Sequence, residues 1–285
     1  MNAGPVVVGY DGSPESRAAS AWAAREARLR GCPLELLQAW PWPVRDVVGS
    51  DEVHARSREQ LAARAAELRT VAVGVDVICR EVRTEPAEAL ETAARDAALL
   101  VLGSRGLGTV HGFLVGSVGR EVLGRTTRPV VLVRAEEDGR GATGGPVLAG
   151  LDLEHPADEM LAFAFSAAAL RRAPVRVLHV WSPPAGSEYM AFDAIGGLED
   201  DLSAAERTGL AEALRPWRER FPDLDVTADL VRGTATIELV AAAAAARLVV
   251  LGHRIRHRPL GAHLGPVARA AIHHVHCPVA IVPHR

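Results

Sequence analysis

The chain repeats itself, and that constrains its fold more than any single motif. The run Val147-Leu148-Ala149-Gly150-Leu151-Asp152 restates Val6-Val7-Val8-Gly9-Tyr10-Asp11, and Val177-Leu178-His179-Val180-Trp181 restates Leu36-Leu37-Gln38-Ala39-Trp40, each 141 residues later. Further on, Val249-Val250-Leu251-Gly252 restates Leu100-Val101-Leu102-Gly103, and Cys277-Pro278-Val279-Ala280-Ile281-Val282 restates Arg128-Pro129-Val130-Val131-Leu132-Val133, each 149 residues later. Two copies of one unit therefore share the 285 residues. The units span residues 1–137 and 146–285, joined by the polar, glycine-rich 138–145. The change of offset places a longer connection in the second copy, around residues 183–197.

Within one copy, short apolar runs alternate with helical patterns. Residues 6–8 form a buried strand, after which Ser13 can cap a helix, Pro14 suits its first position and Gly31 ends it. Residues 34–40 make a second strand and 51–68 an amphipathic helix; 75–82 make a third strand and 86–98 another helix. Apolar runs at 99–102 and 130–133 flank a last helix entered at Gly116-Ser117-Val118. This β-α-β-α-β-α-β-α-β order implies α/β architecture: two tandem doubly wound domains, each a five-stranded, mainly parallel sheet with helices on both faces.

The stretch 99–134 carries the chemistry. Its strand empties into a loop punctuated by Gly103, Gly106, Gly108, Gly112 and Gly116, and Ser117 follows at a helix start. Glycines let a backbone approach a polyphosphate closely, and a helix N-terminus offers free N–H groups and a favourable dipole to negative charge. Arg105 adds a charge-assisted donor. The bland alternative is a surface loop whose glycines serve turn geometry only.

Composition removes other classes of function. Net charge is −3, so no general attraction to nucleic acid or an anionic membrane is expected. All 32 basic residues are arginine, which excludes both a P-loop lysine and a Schiff base. Cys32, Cys79 and Cys277 are too few and too scattered for a disulfide framework and suit a reducing compartment. The N-terminus lacks a charged leader, and apolar segments such as 241–246 are too short to span a bilayer, so a cytoplasmic protein is expected. Histidines 253, 257, 263, 273, 274, 276 and 284 do not specify a closed metal site, because His273, His274 and His276 cannot share one side of a helix or strand. Glu199-Asp200-Asp201 reads as a solvated helix start, and the five tryptophans are too dispersed to form a stacking platform.

Together residues 6–13, 36–40, Gly103-Ser104-Arg105-Gly106, Gly116-Ser117-Val118 and 128–133 resemble the universal stress protein family, and the second copy extends that resemblance over nearly the whole chain. The resemblance implies an adenine-nucleotide alpha-hydrolase-like fold and ATP as ligand, which Mg2+ can accompany. In ATP-binding members the aspartate after the first strand holds the ribose or adenine side, a residue near the end of the second strand meets adenine through its backbone, and the glycine motif holds ribose and phosphates. Carried over, these roles fall to Asp11, to Ala39, and to Gly103, Arg105, Gly106, Gly116, Ser117 and Val118. No catalytic or metal-ligating residue is assigned.

The second copy departs from the motif, with Ile255 in place of Gly106 and Pro266 in place of Ser117, so a single nucleotide site in the first copy is expected. The function implied is that of a nucleotide-dependent stress or dormancy regulator acting through a protein partner. A scaffold with a vestigial site and a slow ATP hydrolase are the alternatives. Family members commonly pair through the last strand, so residues 130–133 and 279–282 are expected to join the two copies into an internal pseudo-dimer; further pairing into a homodimer is left open.

Overall fold

In the computed structural model the chain is described over residues 4–40, 50–104, 116–135, 144–155, 157–182, 198–255 and 264–284. The first half runs β1 (Val6–Gly9), α1 (Pro14–Arg30), β2 (Leu34–Ala39), α2 (Ser50–Val71), β3 (Val77–Val82), α3 (Pro86–Ala94), β4 (Leu99–Ser104), α4 (Ser117–Arg125) and β5 (Val130–Arg134). The second repeats it as β6 (Val147–Gly150), α5 (Asp158–Arg171), β7 (Val175–Trp181), α6 (Leu198–Arg220), β8 (Val226–Arg232), α7 (Ala235–Ala243), β9 (Leu248–Arg254), α8 (Pro266–His274) and β10 (Val279–His284). The expected longer connection at 183–197 lies outside the described residues.

Local chemistry accounts for the element ends. The Ser13 side chain accepts from the Ser16 N–H at the start of α1, with Pro14 in its first turn, and Gly31 closes the helix at φ 63°. The left-handed conformation is easy for glycine; its repeat equivalent Arg172 adopts φ 49° at the end of α5 without that freedom. Strand β3 starts at Val77 rather than at residue 75 because the Val75 N–H turns back to Ala72 O at 3.1 Å. Helix α3 ends at Ala94, short of residue 98, because the chain tightens there, with Ala97 N–H on Ala94 O, and the next N–H, of Ala98, joins Pro5 O beside β1.

All ten strands belong to one sheet, in the order β3-β2-β1-β4-β5-β10-β9-β6-β7-β8. Pairing is parallel throughout except at β5–β10, which is antiparallel, with Val131 opposite Ala280, Leu132 opposite Val279 and Val130 opposite Ile281. Val131 and Ala280 are themselves 149 residues apart, the repeat offset of these strands. A local two-fold axis therefore passes between them, and each half covers the other's strand edge, as the family resemblance implied. The free edges are β3 and β8. Each carries a cross-strand ion pair at repeat-equivalent positions with the charges exchanged: Arg80 with Glu35, and Asp229 with Arg176.

Helices cover both faces. One core contains Leu36, Leu68, Phe165 and Trp217 under α1, α2, α5 and α6; the other contains Leu90, Leu123, Leu239 and Ile272 under α3, α4, α7 and α8. Trp22, Trp181 and Trp217 are buried, in line with a packing role. The first core runs unbroken across the two-fold axis, where α1 meets α5. There the guanidinium of Arg30 lies 5.5 Å from the Phe163 ring centroid, and that of Arg171 lies 5.7 Å from Trp22, which is the same contact seen from the other half. Among the described residues no helix is long and apolar enough to cross a membrane.

Candidate functional site

In the first half, β1 is flanked by β2 on one side and β4 on the other. The chain leaves β1 toward β2 and later returns to β4, so the strand order reverses at β1/β4. Such a switch point opens a crevice at the carboxyl ends of the strands. Asp11 lies two residues beyond β1, and Gly103 and Ser104 end β4 on the crevice's other side.

Asp11 is exposed and held in place by the helix it precedes. Its Oδ1 accepts from Ser13 N at 3.0 Å and from Ser13 Oγ at 2.5 Å, and the same hydroxyl accepts from Ser16 N at 3.2 Å. The carboxylate is thus tied to the cap of α1.

Gly103 has a structural reason beyond phosphate approach. A Cβ at this position would lie 2.6 Å from the backbone carbon of Glu15 and 2.7 Å from its oxygen, so the first turn of α1 rests directly on β4. Gly116 is different. It is exposed at φ −53°, any residue can adopt that conformation, and among the described residues nothing lies within 4 Å of a Cβ built on it. It stands at the N-terminus of α4, where no side chain caps the backbone, and Arg120 N–H makes the first helical bond back to Gly116 O. The N–H groups of Ser117, Val118 and Gly119 precede that bond and have no helical partner, and Ser117 is exposed.

Ala39 ends β2 in register with Val82, and the next N–H, of Trp40, is bonded to Val82 O at 2.8 Å. Ala39 and Val118 both lie against the core on the α3/α4 side and stay partly accessible. Arg105 and Gly106 fall within residues 105–115, outside the described residues. The structure thus brings Asp11, Ala39, Gly103 and Gly116-Ser117-Val118 to the carboxyl end of one five-stranded half-sheet.

The second half keeps the frame and changes the lining. Gly265 caps α8 at φ −59°, ψ 163°, against φ −53°, ψ 163° for Gly116, but Pro266 takes the first helical position and offers neither N–H nor hydroxyl. His253 stands where the first half has Ser104. Burial, reinforced by nearby His284, holds its imidazole pKa below the usual range, which favours the neutral form at that end of β9. Asp152 remains, paired with Glu154 N at 3.0 Å and His155 Nδ1 at 3.2 Å. This exposed turn is the one grouping of three metal-capable side chains among the described residues, and in the sequence Asp152 stood out only as the repeat of Asp11.

Comparison with known proteins matches the chain to the model of the universal stress protein family twice, over residues 3–134 and 145–283. A universal stress protein of Mycobacterium tuberculosis is 33% identical over 294 residues, covering 97% of this chain and 96% of that protein. One of Mycolicibacterium smegmatis is 30% identical over 290 residues, covering 98% and 97%. Among solved structures, a universal stress protein from Archaeoglobus fulgidus shares the fold with a TM-score of 0.72 at 17% identity, covering 98% of both chains.

Proposed function

Since the chain belongs to the universal stress protein family, we propose that its first half binds one adenine nucleotide, ATP, and that occupancy regulates a protein partner without feeding a reaction. The observation that carries this reading is the N-terminus of α4 beside the β1/β4 switch point, where among the described residues no side chain caps the backbone and nothing lies within 4 Å of a Cβ at Gly116. Ser117, Val118 and the Gly116 backbone suit the phosphates, Asp11 the ribose or adenine side, and the end of β2 at Ala39 the adenine edge. Arg105 and Gly106 belong to the same proposed set. ATP supplies the charge these donors are arranged to meet; Mg2+ is a companion to its phosphates.

A regulatory role fits Asp11 better than a catalytic one. Its carboxylate accepts two hydrogen bonds from Ser13, which suits holding a hydroxyl in place more than taking up a proton. The second half, with Pro266 and His253 at the corresponding positions, is proposed to be empty of nucleotide.

Equilibrium binding of labelled ATP tests the reading. Ser117→Pro copies the second half's own residue onto a cap of the same geometry, so α4 is expected to form while one N–H and the hydroxyl are lost. Binding should weaken about tenfold. No binding by the wild type would favour a scaffold with a vestigial site. Multiple turnover of ATP that disappears in Asp11→Asn would make the protein a hydrolase.

A further inference from the structure

Between the halves, one strand-to-helix pair exchanges a neutral link for an ionisable one. In the first half Gln38 on β2 donates from Nε2 to Ser57 Oγ on α2 at 2.6 Å, a neutral link between strand and outer helix. Their repeat equivalents are His179 and Glu206, offset by 141 and 149 residues. His179, on β7, is buried; its Nδ1 lies 2.9 Å from Leu151 O at the end of β6, and its Nε2 lies 3.2 Å from Glu206 Oε2 on α6. A carbonyl oxygen only accepts, and so does a carboxylate. Both contacts are hydrogen bonds only when both ring nitrogens carry protons.

We infer that His179 and Glu206 form a proton-dependent latch, which fastens α6 and the end of β6 to β7 when the imidazole is charged and slackens when it is neutral. A neutral ring keeps one contact and turns a lone pair toward the other acceptor. The equivalent pair in the first half has no such dependence, because an amide and a hydroxyl do not titrate; His54 Nε2 of α2, 3.5 Å from Glu81 Oε2, is present in wild type and variant alike and cancels in their ratio.

The surroundings leave Glu206 as the group that decides the outcome. On the β6 side, Asp152 follows Leu151, but its carboxylate is engaged by Glu154 N and His155. Across β8 the residue in register is the apolar Leu230, and α5 buries Met160, Leu161 and Phe165. Arg176 and Asp229 are bonded to each other, and strand alternation puts them on the opposite face of the sheet, the face that α7 covers. The sign follows from the proton count. The latched state holds an extra proton, so its contribution is favoured at low pH and lost as pH rises. His253, held neutral, acts on global stability in the opposite sense, so the readout must be local to α6.

Amide hydrogen exchange over residues 202–214 of α6, corrected for intrinsic rates, supplies it. Between about pH 8 and pH 5.5, protection of wild-type α6 relative to Glu206→Gln is expected to rise about fivefold, while protection of α2 keeps a constant ratio. Glutamine at 206 can donate to a neutral Nε2, so it preserves the link and removes its proton dependence. The double variant His179→Gln, Glu206→Ser rebuilds the first half's own pair and serves the same purpose if the single variant folds poorly. A wild-type ratio that stays flat, or a change of equal size in α2, overturns the inference.

Discussion

Glu26→Ala is expected to destabilise the folded chain by about 3–5 kcal/mol, measured by urea unfolding. Glu26 lies on α1 beside the two-fold axis with its side chain 1% exposed. It receives Arg30 Nε at 2.6 Å from its own helix and Arg171 from α5 of the other half. The two arginines are repeat equivalents, 16% and 10% exposed, and share this one carboxylate. Removing it leaves two nearly buried guanidinium groups without their counter-charge. They are kept close by the cation–π contacts to Phe163 and Trp22, so they cannot retreat far into water.

The symmetry supplies a second arm to this test. The repeat equivalent of Glu26 is Ala167, fully buried on α5. Moving the carboxylate there, as Glu26→Ala with Ala167→Glu, places it four residues before Arg171 and across from Arg30. That double variant should recover much of the lost stability. Loss that is no smaller in the double variant than in the single one would show that Glu26 acts through its own packing rather than as a shared counter-charge.

The second large effect is expected at Gly103. A methyl group there meets Glu15 backbone at 2.6 Å, and backbone cannot rotate away as a side chain can. Gly103→Ala should cost about 3 kcal/mol and loosen the first turn of α1, which carries Ser13 and with it Asp11. Nucleotide affinity should therefore fall with stability. The repeat-equivalent Gly252→Ala is the control: its nearest atoms belong to the His284 ring at 3.1 Å and to Ala157 Cβ at 3.6 Å, and the ring can shift. It should cost well under half as much in the same urea titration. Equal costs at the two positions would contradict this account of Gly103.

Much of the architecture was legible because a repeat lets a chain be compared with itself. Continuous apolar runs marked the strands, Ser13-Pro14 and Gly31 marked the ends of α1, and the family resemblance pointed to 130–133 and 279–282 as the strands that join the halves. What stayed hidden was whatever depends on contact between helices and strands distant in sequence. Glu26 in an alanine-rich helix reads as a surface residue, and only the apposition of α5 buries it. Gly103 reads as a phosphate glycine, while its close neighbour is Glu15, distant in sequence and brought in by helix packing. The start of β3 and the length of α3 were misjudged by a few residues, since an isolated valine or alanine does not reveal a tightening turn. The His179–Glu206 pair was within reach: aligning the copies shows Gln38 and Ser57 both replaced, by an imidazole and a carboxylate.

The central claim is asymmetry, one frame used twice and one phosphate cradle retained. Native mass spectrometry of the chain titrated with ATP counts occupied sites directly. The account predicts a single nucleotide per chain, with occupancy reduced by Ser117→Pro and unaffected by Pro266→Ala. Two nucleotides per chain at comparable affinity, or an occupancy indifferent to Ser117→Pro, would contradict it.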